Sequence, residues 1–181
     1  MIRALLLAGL MSLNSLGVGN AQSFEDAGPL RVLEDVRYDL ENLVDEGHDT
    51  ELADKAEDVL SKLEDAAREL SKRPADFPDA VGNIEGAIGD LEAAVKNRLL
   101  DPEAGIALMD DLAGISRALA SRALTAASRR RGSRGEIQQA RTDLSRGDSL
   151  RASGRRGSIG AFKRAASRYK DALSKAESSI D

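Results

Sequence analysis

The chain has 181 residues, no cysteine, no tryptophan, 3% aromatic residues and a formal net charge of −5. It therefore has no disulfide framework and no thiolate for a zinc site, and a core so poor in rings must be filled by Leu, Ile, Val and Ala, which suits helices better than strands. The net charge hides a division: residues 22–111 hold 25 acids against 9 bases and residues 112–181 hold 6 against 16, a pattern that marks either an interaction surface or two faces that neutralise each other within the fold.

Residues 1–21 read as a signal peptide. Arg3 supplies a positive start, Ala4 to Leu13 is apolar apart from Gly9 and Ser12, and Gly19-Asn20-Ala21 places small residues at the −3 and −1 positions of a cleavage site. The expected mature start is Gln22. An apolar core of about ten residues is too short to span a bilayer of roughly 30 Å, and no later stretch comes close, so no transmembrane span is expected after cleavage. The expected location is outside the cytoplasm, periplasmic or extracellular. Residues 22–181 are enough for a domain that closes without a disulfide or metal staple.

The first expected helix runs from Pro29 to Glu46, with Leu33, Val36, Leu40, Leu43 and Val44 on one stripe and Gly47 as its stop. In the second, Leu52, Ala56, Val59, Leu60, Leu63, Ala67 and Leu70 recur at spacings of three and four, with Asp49 or Thr50 as cap and Pro74 beyond the end. The short connector between them predicts an antiparallel hairpin. A third helix spans Pro78 to Leu99. Its Gly82, Gly86 and Gly89 each cost about 1 kcal/mol against Ala, which signals either a closely approaching helix or a weak, kinked segment. Asp101-Pro102-Glu103 opens the fourth as cap, first residue and first-turn acid, with Ile106, Met109, Leu112, Ile115, Leu119 and Ala123 on its face. The run Ser128 to Gly135 then reads as a basic glycine–serine linker. Two more helices, Glu136 to Ala152 and Ala161 to Ser178, flank a second basic stretch, Ser153 to Gly160.

In this tail, Gly160-x-Phe162-x-x-Ala165-x-x-x-Tyr169-x-x-Ala172 resembles the second helix of a tetratricopeptide repeat, and Leu144 to Leu150, with Gly147-Asp148, resembles a degenerate first helix. Similar hairpins end many otherwise unrelated exported bacterial proteins. The resemblance covers about 38 residues in one copy, with a loop several residues too long. Repeat units of this kind bury their apolar faces against neighbours, usually about three copies, so the resemblance implies a hairpin docked on the other helices or on a partner.

Catalytic chemistry is hard to place. The sole imidazole, His48, falls in the first hairpin loop between Gly47 and Asp49 and reads as an exposed polar residue. Nucleophilic catalysis needs an oriented base beside the nucleophile, and zinc usually needs three or four ligands; neither set is present. The loop from Asp45 to Glu51 lacks the ligand spacing and central glycine of a calcium hand, and Gly82 to Gly89 follows a proline rather than a strand, so it is no phosphate loop. Paired acids such as Glu57-Asp58 and Asp110-Asp111 read as solvated helix faces. A glycan hydrolase would need two of them converging about 5–10 Å apart.

The expectation is an all-α protein: a bundle of about four antiparallel helices within the acidic region 22–131, and a basic C-terminal tetratricopeptide-like hairpin in 132–181 docked on it. No enzyme activity, cofactor or metal is assigned. The expected function is protein–protein interaction or envelope structure, with a protein partner or self-association. Phe162, Ala165 and Tyr169 would form a packing or docking face, and Arg129, Arg130, Arg131, Arg134, Arg155 and Arg156 would steer association. The alternative is electrostatic binding of an anionic surface polymer or membrane headgroups by the basic third. Nucleic acid is a poor fit, because no aromatic lies among these arginines to stack on a base.

Overall fold

Proline and aspartate set the helix starts in the middle of the chain. Asp76 accepts a hydrogen bond from the Asp79 N–H (3.1 Å) with Pro78 in the first turn. Asp101 accepts from the N–H groups of Glu103 and Ala104 (2.9 and 3.1 Å), with Pro102 as first residue. Each satisfies N–H groups that a helix start leaves unpaired. The computed structural model describes residues 28–47 and 50–180. All regular structure in them is helical: α1 (Pro29–Gly47), α2 (Thr50–Ser71), α3 (Phe77–Lys96), α4 (Pro102–Arg129), α5 (Arg134–Arg155) and α6 (Ala161–Ser178). The expected signal segment with its Gln22 boundary, and the loop residues His48 and Asp49, lie outside the described residues. No helix among the described residues is long and apolar enough to cross a membrane.

The protein is an all-α bundle organised around α4, a helix of 28 residues that packs against α1, α3, α5 and α6. Met109, Leu112, Ile115 and Leu119 are fully buried along it. The other hub is α6, which touches α3, α4 and α5. Its Ala161, Phe162, Ala165, Ala166, Tyr169, Ala172, Leu173 and Ala176 are all inaccessible to solvent. Alanine at so many of these positions keeps the flank of α6 thin, so three helices can close on it, while the two rings fill the remaining volume. α2 packs on α3, and α1 closes the edge of the molecule against α2 and α4.

Three local readings change in the structure. First, α3 stops at Lys96 rather than Leu99, because Arg98 adopts the left-handed region (φ 62°) while the Leu99 N–H turns back to the Ala94 carbonyl (3.0 Å). A helix cannot continue through such a cap. Second, the α3 glycines lie in an unbroken helix beneath lysine side chains. A β-carbon on Gly82 would sit 3.0 Å from Lys170 Nζ, on Gly86 3.0 Å from Lys62 Cδ, and on Gly89 3.3 Å from Lys163 Nζ. The close approach is made by side chains of α2 and α6.

Third, the two basic stretches are shorter than a linker reading requires. α4 continues to Arg129 and α5 begins at Arg134, leaving a tight turn. The Ser133 N–H donates to the Ser179 carbonyl (2.8 Å), and Gly132 lies against Ser179. The turn is thus tied down by the end of α6. Likewise α5 runs on to Arg155 because Gly154 belongs to the helix and receives the Phe162 ring: a β-carbon there would lie 2.7 Å from it. One heptad earlier, Gly147 meets the Tyr169 ring in the same way. Two glycines on α5 and two rings on α6, both pairs seven residues apart, set the register of this antiparallel pair.

Candidate functional site

An ionic seam runs along the contact of α4 with α5. Asp110 of α4 takes both oxygens to two guanidinium groups of α5: Arg151 (2.7 and 3.0 Å) and Arg155 (2.8 and 2.8 Å). The two arginines stand four residues apart and so share one helical face. Burial pushes the Asp110 carboxyl up, but the bonds from Arg155 and Arg151 outweigh it and hold the group below the usual carboxylate range. Further down, Arg117 of α4 forks onto Asp148 of α5 (2.6 and 3.2 Å), and the Tyr169 hydroxyl donates to the same carboxylate (2.9 Å). Burial, then the neighbouring Asp148, push the Tyr169 phenol up, so it acts here as a donor. Asp143, buried on α5, pairs with Lys175 and lies 3.5 Å from Arg168 and 3.8 Å from Arg146.

These contacts decide what the seam can do chemically. A buried carboxylate is costly to desolvate unless it is paired and hydrogen-bonded. Buried Asp143, mostly covered Asp110 and the more exposed Asp148 are each held by cations, and that role is structural registry. Asp111 differs: its carboxyl is pushed up to about 6, first by burial, then by Asp110, against the pull of Arg151, with Asp39 of α1 adding to the rise. Asp110 and Asp111 are sequence neighbours and point about 100° apart around α4.

The expected site residues fall into three groups. Arg129, Arg130, Arg131, Arg134 and Arg156 are exposed, with no ion pair among the described residues. Arg155 is spoken for by Asp110. Phe162, Ala165 and Tyr169 are fully buried inside this chain; of the packing and docking roles expected for them, they occupy the packing one. The structure also brings together residues that sequence reasoning had not paired: Asp110 with Arg151, Asp148 with Arg117 and Tyr169, and Asp143 with Lys175. The i, i+4 spacing of Arg151 and Arg155 was the available signal, but which acid they meet depends on how α4 and α5 are rotated.

No family model, no curated protein and no solved structure matches this chain.

Two further acidic features lie away from the seam. Glu69, Asp76 and Asp79 each offer a carboxylate oxygen within 4.8 Å of the others. Lys72 ion-pairs with Glu69, and that contact raises the lysine pKa, so the cluster carries its own cation. The second is a furrow of about 340 Å³ between α1 and α2, floored by Val44, Ala53, Ala56 and Leu60 and rimmed by Glu41, Asp45 and Glu57. Glu41 of the rim pairs with Arg37 (3.1 Å), which also lies 3.8 Å from Glu64. Asp45 and Glu57 have no ion pair among the described residues.

Proposed function

We propose that this chain is an exported, non-enzymatic helical protein whose role is to hold proteins together outside the cytoplasm. The observation that carries the reading is the contrast between paired and unpaired charge. The carboxylates and arginines of the seam are spent on each other, whereas the arginines of the Arg129–Arg134 turn and Asp45 and Glu57 of the α1–α2 furrow carry opposite charge with no ion pair among the described residues. The α5–α6 hairpin supports a tetratricopeptide-like reading: one repeat-like unit whose missing neighbours are replaced by α3 and α4, with its small-residue and ring positions used for internal packing.

The exposed arginines favour a second reading, binding of an anionic envelope polymer or lipid headgroups by the basic end. A photo-crosslinking side chain at position 57 and another at position 130, used in cells, separate the two. Protein adducts support the first reading, adducts confined to polysaccharide or lipid at position 130 support the second, and no adduct at either position removes both. Cell fractionation with N-terminal sequencing tests export, with Gln22 as the expected first residue.

A further inference from the structure

We propose that the Arg129–Arg134 turn of one copy seats in the α1–α2 furrow of a second copy, so that the protein assembles head to tail. This deepens the protein-binding reading and rests on it.

The turn and the furrow match in chemistry. An arginine is an apolar three-carbon stem ending in a planar cation, and it lies well where a carboxylate rim surrounds an apolar floor. The furrow has that form, with Val44 and Leu60 on its floor to take the stems and Asp45 and Glu57 on its rim to take the guanidinium groups. The turn offers Arg129, Arg130, Arg131 and Arg134 within six residues, all exposed and without ion pairs among the described residues. It is tied by the Ser133 N–H on the Ser179 carbonyl, and Arg131 sits in the left-handed region (φ 59°). A fixed turn loses little freedom on docking.

The two surfaces cannot meet within one molecule. Leu40 of α1 lines one small cavity with Leu100, just ahead of α4, so the half of α1 that carries Glu41 and Asp45 lies by the N-terminal part of α4, which holds Asp111. From Asp111, α4 runs 18 more residues to Arg129, about 27 Å at 1.5 Å per residue. Pairing the two with each other therefore takes a second molecule, and a second copy of this chain carries both patches. An interface between two different patches does not close on itself unless the rotation brings it round, and otherwise extends into open chains. Because the contact is exposed charge, it should be strong at low ionic strength and largely screened at 1 M salt, where the screening length is about 3 Å.

The test is light-scattering mass of the purified chain against concentration, with charge reversal on either surface. At low salt the native mass should rise with concentration, and at 1 M salt it should return to the monomer. The furrow variant Asp45→Lys/Glu57→Lys and the turn variant Arg129→Glu/Arg130→Glu/Arg134→Glu should each associate at least about tenfold more weakly. Mixed together they should associate again, since a basic furrow then meets an acidic turn; that recovery also shows that both variants are folded. A native monomer at low salt, an assembly that survives 1 M salt, or a mixture that stays apart would each overturn the head-to-tail contact. In any of those cases, protein adducts from positions 57 and 130 would still stand for a foreign partner, so the broader reading fails only on its own test.

Discussion

The two hairpins at the ends of the described chain are built on different principles. In the α5–α6 pair, glycine meets ring at Gly147–Tyr169 and Gly154–Phe162, the buried Asp143 pairs with Lys175 across the contact, and α6 is covered by three helices. In the α1–α2 pair, α1 carries Leu33, Val36 and Leu40 into the core but leaves Tyr38 65% exposed, and a furrow stays open between the helices. One hairpin uses its chemistry inward, to fix a single register. The other leaves acid and apolar surface unspent at the rim, which is where a partner would find it. Interior specificity and exterior availability are thus placed in separate parts of one fold.

The comparison can be broken most sharply at the rings. Phe162→Ala should cost about 3–5 kcal/mol, the usual range for a fully buried aromatic, and lower the urea midpoint of the whole protein. Val44→Ala at the furrow should cost about 1 kcal/mol. Equal losses would mean that the furrow is as much core as α6. Next comes the seam: Asp110→Ala strands two guanidinium groups and should cost about 2–3 kcal/mol, whereas Arg37→Ala, removing an exposed pair on the other hairpin, should cost less than about 1 kcal/mol. Gly147→Ala forces the Tyr169 ring aside, with an expected loss of about 1–3 kcal/mol; a neutral result would show that the glycine–ring register is loose.

The smallest effect concerns pH. The Asp111 carboxyl is raised from an ordinary 3.8 to about 6, so between those values the folded state binds more protons than the unfolded one. This group's contribution to stability is therefore full below about pH 4, falls as pH rises through that window, and changes no further above about pH 6. Burial and then Asp35 raise Asp39 as well, which adds in the same direction. Asp111→Asn should flatten the pH dependence of the urea midpoint between pH 4 and 6. A variant with the unchanged slope would place the titration elsewhere.

Helix positions were legible in the chain because spacing and punctuation agree: Leu52 to Leu70 at threes and fours, Asp101-Pro102 as a start, Gly160 before the last helix. Which face meets which neighbour was not legible. Phe162, Ala165 and Tyr169 mark an apolar face by spacing alone, and spacing is silent on whether that face is covered by the same chain. Gly154 looked like part of a loop because glycine is a poor helix former, yet a ring from α6 needs the space. The Asp110–Arg151–Arg155 site depends on the rotation of two helices 41 and 45 residues apart in sequence, which no local pattern encodes. The exposed arginines were the reverse case: a surface cluster is visible in any sequence, and only its tight turn required the structure.

The placement of α6 also has a consequence in time. It follows α3, α4 and α5 in the chain, and it supplies the side chains that cover all three. During synthesis those helices must wait, apolar faces unclosed, until residues 161–178 have been delivered. The fold therefore behaves like an arch whose keystone arrives after the stones it supports, and an interruption of synthesis before Ala161 leaves a chain with its longest helix still seeking cover.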